Sequence, residues 1–208
     1  MITLKDFIET CQTGDLLLYS GITWYSWMLE YMTDSPYKYI SMVLKDPYFM
    51  GEKHYGIYII EAKCQNTRDC IRDKPLFGTR IVPFMVACKK YLSHGGNIYY
   101  RRLICNRDSI FIDRLNSIIT TVYTSSYNIN PSNWLRNECG IMYGDCPVDN
   151  TFWCSALIAY IYIRLGLLHS CVEWSLMKPS KFGGLAKDKL SFINCSFKLE
   201  QLIIIGKI

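Results

Sequence analysis

Apolar and polar positions change their period several times along the chain, and each change marks an element. "TGDLLLYSG" (13–21) is a continuous apolar run bracketed by glycines, which predicts a short buried strand. "ITWYSWMLEYMT" (22–33), rich in aromatics and ended by "DSP", predicts a helix. "KYISMVL" (38–44) and "YGIYIIE" (55–61) alternate with a period of two and predict strands, the second with Tyr55, Ile57, Ile59 and Glu61 on one face. "TRIVPF" (79–84) and "NIYYRRLI" (97–104) predict two more. Over 107–123 the period becomes helical, with Ile110, Phe111, Leu115 and Ile118 as its stripe. A turn or short helix follows near Pro131, which reads as structural together with Trp134. From 151 to 168, "TFWCSALIAYIYIRLGLL" predicts a buried helix. "WSLMKPSKFGG" reads as a loop and the terminal "KLEQLIIIGKI" as a strand at the sheet edge. Mostly antiparallel strands with helices gathered at two sides make this an α+β chain.

Composition narrows the picture. With 208 residues, half apolar and a fifth charged, the chain buries one core, so 1–208 is expected to be a single domain. The net charge of +5 is scattered without runs, which gives no footprint for nucleic acid. The first ten residues carry Asp6 and Glu9 where a signal peptide needs a basic start and an apolar stretch, so export by that route is not expected. The run from Phe152 to Ile163 falls short of the roughly 20 residues a membrane-spanning helix requires, so no transmembrane segment is expected. The ten cysteines, with spacings such as Cys64 to Cys70 and Cys139 to Cys146, lack the paired CxxC pattern of a zinc site. No metal and no cofactor is therefore expected, and reduced thiols in a cytosolic compartment are the simplest state. A bond between Cys139 and Cys146 would suit an oxidised particle, but sequence does not fix connectivity.

Asp149, Asn150 and Thr151 are all good N-caps, which places Cys154 in the first turn of its helix. Unpaired N–H groups and the positive end of the dipole there favour a thiolate and can hold an oxyanion. Cys154, Leu157, Ile158, Ile161, Leu165 and Leu168 also form one apolar stripe, the pattern of a core cysteine. A nucleophile needs a base, and the chain has three histidines. His54 precedes Glu61 by about 23 Å of extended strand. His94 sits in the turn "SHGGN", and His169 lies beyond the helix end, roughly 22 Å from Cys154. None is an evident partner.

The order "TGDLLLYSG", aromatic helix, "SPYKYISMVLKDP", "GIYIIEA", "GTRIVPF", "IYYRRL", "YNINPSNW" and "FWCSALIAYIYIRLGLL" resembles the circularly permuted branch of the NlpC-type papain-like superfamily, over about residues 13–185. That branch includes YiiX-like and YaeF-like amidases, relatives of lecithin:retinol acyltransferase, and proteins of poxviruses and other large DNA viruses. The resemblance implies a β-barrel-like antiparallel sheet supplying a histidine and an acidic residue, followed by the helix that carries the cysteine. Carried over by motif, "FWCSAL" puts the nucleophile at Cys154 and "YIIEA" the third polar residue at Glu61. The histidine belongs in "KYISMVLKDP", where this chain has Tyr39, or Ile40 if the register shifts by one. A tyrosine with an ordinary pKa near 10 stays protonated at neutral pH and cannot take a thiol proton. Glu61, if near both, would raise the pKa of Tyr39 and Cys154 together.

Two classes of function follow. In one, the chain is a papain-like pseudoenzyme with Tyr39, Glu61 and Cys154 as a vestigial cluster, serving as a binding or assembly module. The viral resemblance makes that module a virion component, a minor capsid or core protein, located in the host cytoplasm or the virion. In the other, it is an active thiol amidase, esterase or acyltransferase using Cys154. Lipid or acyl and peptide ligands are a further expectation, from the relatives and from Trp24, Tyr25 and Trp27, whose simpler role is packing. Asp15 reads as turn chemistry or as a support for the site. Arg101 and Arg102 face opposite sides of a strand, so only one of them reaches any given pocket. Trp153 reads as packing.

Overall fold

The computed structural model describes residues 1–21, 36–49, 51–68, 75–123, 126–127, 151–152, 154–184 and 190–205. The strands are β1 (Ile2–Thr3), β2 (Leu16–Ser20), β3 (Tyr39–Lys45), β4 (Tyr48–Phe49), β5 (Glu52–Lys53), β6 (Ile57–Arg68), β7 (Pro75–Pro83), β8 (Asn97–Arg101), β9 (Leu103–Ile104), β10 (Ser126–Tyr127), β11 (Thr151–Phe152), β12 (Ser196–Phe197) and β13 (Gln201–Ile204). Helices α1 (Leu4–Thr10), α2 (Phe84–Leu92), α3 (Ser109–Val122) and α4 (Cys154–Arg164) complete the described set, with two 3-10 turns at Trp174–Leu176 and Pro179–Phe182. Seven strands form one sheet in the order β1-β13-β8-β2-β3-β6-β7. Every pairing in it is antiparallel except β1 with β13.

Alternation sorts the side chains onto two faces. Leu16, Leu18, Ile40, Met42, Leu44, Ile60, Ala62 and Ile81 pack against α3 and α4. Leu17, Tyr19, Val43, Ile59, Val82, Ile98 and Tyr100 pack against Phe7 and Cys11 at α1 and Phe84 and Cys88 of α2. Because both faces are covered, the central strand β2 is buried at every position, which is why its sequence is continuously apolar instead of alternating. The same two layers explain why the expected barrel does not form. The sheet is open, with β1 and β7 at its ends, and its apolar faces are already buried by helices.

Other expectations are corrected in detail. The C-terminal strand β13 is not at the edge but lies between β8 and the two-residue β1. In α3, capped by the Asp108 carboxylate on the Phe111 amide, the buried stripe is Phe111, Leu115, Ile119 and Val122, while Ile110 faces solvent. Helix α4 starts at Cys154 itself, and Thr151, proposed as a cap, lies in β11 paired in parallel with β10. The aromatic helix at 22–33, Pro131, Trp134, Cys70, Cys139, Cys146, Asp149, Asn150 and Trp153 fall outside the described residues. Among the described residues no helix is long and apolar enough to cross a membrane.

Asp15 turns out to be a buried hub. Its Oδ2 accepts from the Gln12 amide at 2.8 Å and the Tyr100 hydroxyl at 2.6 Å. Its Oδ1 accepts from the Leu103 amide at 2.9 Å and Arg107 Nη2 at 2.8 Å. One carboxylate thus joins the end of α1, the start of β2, the end of β8 and β9, and Cys154 is not among its partners. Arg101 is likewise committed to structure: it donates to the carbonyls of Lys198 and Phe182 and lies over the Phe197 ring. Arg102 Nε is buried with no hydrogen-bond partner among the described residues.

Candidate thiol site

Strands β3 and β6 build the site by separating. Their register runs from Lys45↔Ile57 to Met42↔Ile60. Beyond it, groups that would extend the ladder turn to other partners. The Ile40 amide points at the Cys154 sulfur, and the Ala62 carbonyl accepts from the Tyr39 hydroxyl at 3.2 Å. Cys154, the first residue of α4, fills the gap from the helix side and is 7 % exposed. Ser155 anchors the turn by donating to the Met177 carbonyl at 2.5 Å, and its hydroxyl also lies close enough to the thiol to oppose the rise in its pKa.

Glu61 lies opposite Arg80 in the β6–β7 register, and both side chains are buried. Arg80 donates to Glu61 Oε1 from Nε at 2.8 Å and from Nη2 at 2.5 Å. The structure therefore brings Cys154, Tyr39 and Glu61 within electrostatic reach of one another and adds a fourth member, Arg80. Tyr39 packs edge-on against Tyr19 at 5.3 Å between ring centres, and Tyr19 shares a hydrogen bond with Ser41 at 2.9 Å. Thr79, across from Ala62 on β7, has a buried hydroxyl with no hydrogen-bond partner among the described residues.

Burial dominates the electrostatics. It pushes the Cys154 thiol up to about 11; the amides of Ile40 and Ser155 pull the other way, and the Glu61 charge adds to the rise. The Tyr39 hydroxyl is pushed well above its ordinary value by burial, then by Glu61 and Cys154. At neutral pH roughly one thiol in 10⁴ is ionised, and the phenol beside it is no base. The histidines stand elsewhere. His54 packs against Tyr58 at 6.0 Å, His94 Nδ1 faces Ser93 Oγ, and His169 follows the far end of α4.

Arg80 is the member that sequence reasoning passed over. Its signal was present: "TRIVPF" places a charge on the same strand face as Val82, where an apolar side chain would be expected. Among the described residues no three His, Cys, Asp or Glu side chains converge into a group that could hold a metal.

Fold and site together define an open, mostly antiparallel α+β sheet, layered by helices, with a buried protonated thiol at a helix start. No protein-family model matches the chain, and no curated protein matches it. Among solved structures it is similar to that of the metalloprotein yiiX from Escherichia coli O157:H7, at 17% identity and a TM-score of 0.47. That likeness covers 74% of this chain and 66% of the other, just under two thirds of its length.

Proposed function

We propose that this chain is a catalytically silent derivative of a papain-like thiol hydrolase, from the circularly permuted branch found in poxviruses and other large DNA viruses. It serves as a binding or assembly module, a minor virion or capsid component made in the host cytoplasm and partnered with other virion proteins. The observation that carries the silent-centre reading is the Cys154 thiol, buried, raised to about 11 and served by Tyr39 where a base is required. Glu61, which would orient a histidine, is held by Arg80 instead.

The second reading is an active thiol amidase, esterase or acyltransferase acting on an acyl or peptide substrate. The two amides of Ile40 and Ser155 favour it, since donors aimed at the sulfur also lie near where an oxyanion would form. Hydrolysis of a p-nitrophenyl acyl ester and of a peptide anilide by the wild type and by Cys154→Ala separates the two. Equal, background rates are expected. Turnover that disappears with Cys154→Ala would overturn the silent reading in favour of the enzyme. The virion assignment is tested by mass spectrometry of purified particles, where absence of the chain would remove it.

A further inference from the structure

We infer that Cys105 and Cys195 form a cross-strand dithiol that a disulfide oxidant converts into a staple closing the helical layer onto the sheet. The inference rests on register and is independent of the proposed function. Strands β9 and β12 pair antiparallel with Ile104 opposite Ser196 and Leu103 opposite Phe197. Extending that register by one residue sets Cys105 opposite Cys195. The Lys198 amide donates to the Arg102 carbonyl at 2.9 Å, which makes 102 and 198 a hydrogen-bonded pair. Alternation then makes 105 and 195 a non-hydrogen-bonded pair, the kind whose Cα atoms approach to about 4.5 Å with side chains close. A disulfide spans Cα separations of about 4.4–6.8 Å, so the pairing meets its first requirement.

The faces agree as well. Cys105 shares parity with Leu103 and Cys195 with Phe197, and all four pack on the α3–α4 side of the sheet. The Cys195 thiol donates to the Leu167 carbonyl at 3.6 Å, a carbonyl that also takes the Ile193 amide, which holds the sulfur beside the turn after α4. Both cysteines are free thiols and half-buried, within reach of a small oxidant, whereas Cys11 and Cys88 are buried beneath the other face. Burial raises the Cys105 thiol above its ordinary value, Arg107 opposes the rise and the Asp15 charge adds to it.

The chemistry is thiol–disulfide exchange with a glutathione-type disulfide. The Cys105 thiolate attacks one sulfur of the oxidant, forming a mixed disulfide and expelling one glutathione thiolate. Cys195, losing its proton to solvent, attacks the Cys105 sulfur and expels the second. Two protein thiols become one cystine, one glutathione disulfide becomes two glutathiones, and the two protons end on those thiols. The closed loop encloses residues 106–194 and therefore α3 and α4, with Cys154 among them.

The reduced full chain is incubated with oxidised glutathione, blocked with iodoacetamide, digested and mapped without reduction. The expected product is a peptide pair joined through Cys105 and Cys195, together with a melting temperature about 5–10 °C above the reduced chain. That rise should vanish in Cys105→Ser and in Cys195→Ser; because mapping uses the wild type, it stands even if a variant fails to fold. Separate glutathione adducts on the two cysteines, bonds to other partners, or an oxidised chain that melts no higher would each overturn the staple.

Discussion

Arg80→Met lowers the melting temperature by roughly 10 °C or more, and adding Glu61→Leu restores most of the loss. Both members of the pair are almost fully buried, at 4% and 3% side-chain exposure, so solvent screens the interaction little. Removing one partner leaves an uncompensated buried charge, which costs about 3–5 kcal/mol, whereas replacing both with apolar side chains of similar volume is often neutral or better. For a domain of this size 1 kcal/mol shifts the melting temperature by about 2–4 °C. Thermal denaturation of the two single variants and the double variant gives the coupling directly. A single variant that melts within a degree of wild type would mean that Arg80 does not balance Glu61.

Asp15→Asn is expected to cost a similar amount, about 3–5 kcal/mol, at nearly constant volume. The two oxygens of Asp15 face four donors, from Gln12, Tyr100, Leu103 and Arg107. An asparagine offers one acceptor oxygen and turns an NH₂ group toward donors at the other position. Arg107 would at the same time lose its counter-ion, although its bonds to the Thr13 and Leu103 carbonyls remain. Urea unfolding monitored by circular dichroism measures the change, and a loss below about 1 kcal/mol would show that the hub relaxes around the amide. The Cys154 alkylation profile should be unchanged in this variant, because Asp15 acts on the framework and not on the thiol.

Much of this framework was legible in the residues. The apolar run at Leu16–Tyr19, the alternation at Tyr39–Leu44 and the helical stripe at Phe111–Leu115 each fix an element, because burial on one or two faces dictates their period. Elements set by tertiary pairing were harder to read. The arm of β6 beyond Glu61 and the start of β7 at Pro75 lie in a polar, cysteine-containing stretch whose pattern carries no period. Helix α2 follows directly on Pro83, and its short stripe of Phe84 and Cys88 was hidden by the preceding strand. The edge position assigned to β13 failed for a related reason, since the strand that covers it, β1, is two residues long and carries no pattern of its own.

The site divides in the same way. Cys154, Tyr39 and Glu61 stand together in the fold, and the sign of the Glu61 effect on both neighbours follows from charge alone. The balance between helix start and burial was not legible. The Ser155 amide is a local feature that the helix start implies, while the Ile40 amide and burial both depend on how β3, β6 and α4 close around the sulfur. Arg80 and the separation of the β3–β6 ladder both require the register, which no single stretch of sequence states.

The central claim is that Cys154 is a protonated, inert thiol, and its alkylation rate by iodoacetamide as a function of pH tests this most directly. Peptide mass spectrometry reads Cys154 beside the exposed Cys171 in the same sample. Because the thiol is raised to about 11, its thiolate fraction should be very small at neutral pH and should still climb about tenfold per unit above pH 9. A Cys154 profile that levels off with a midpoint below about 8.5 would mean that the site stabilises a thiolate, and would contradict the account.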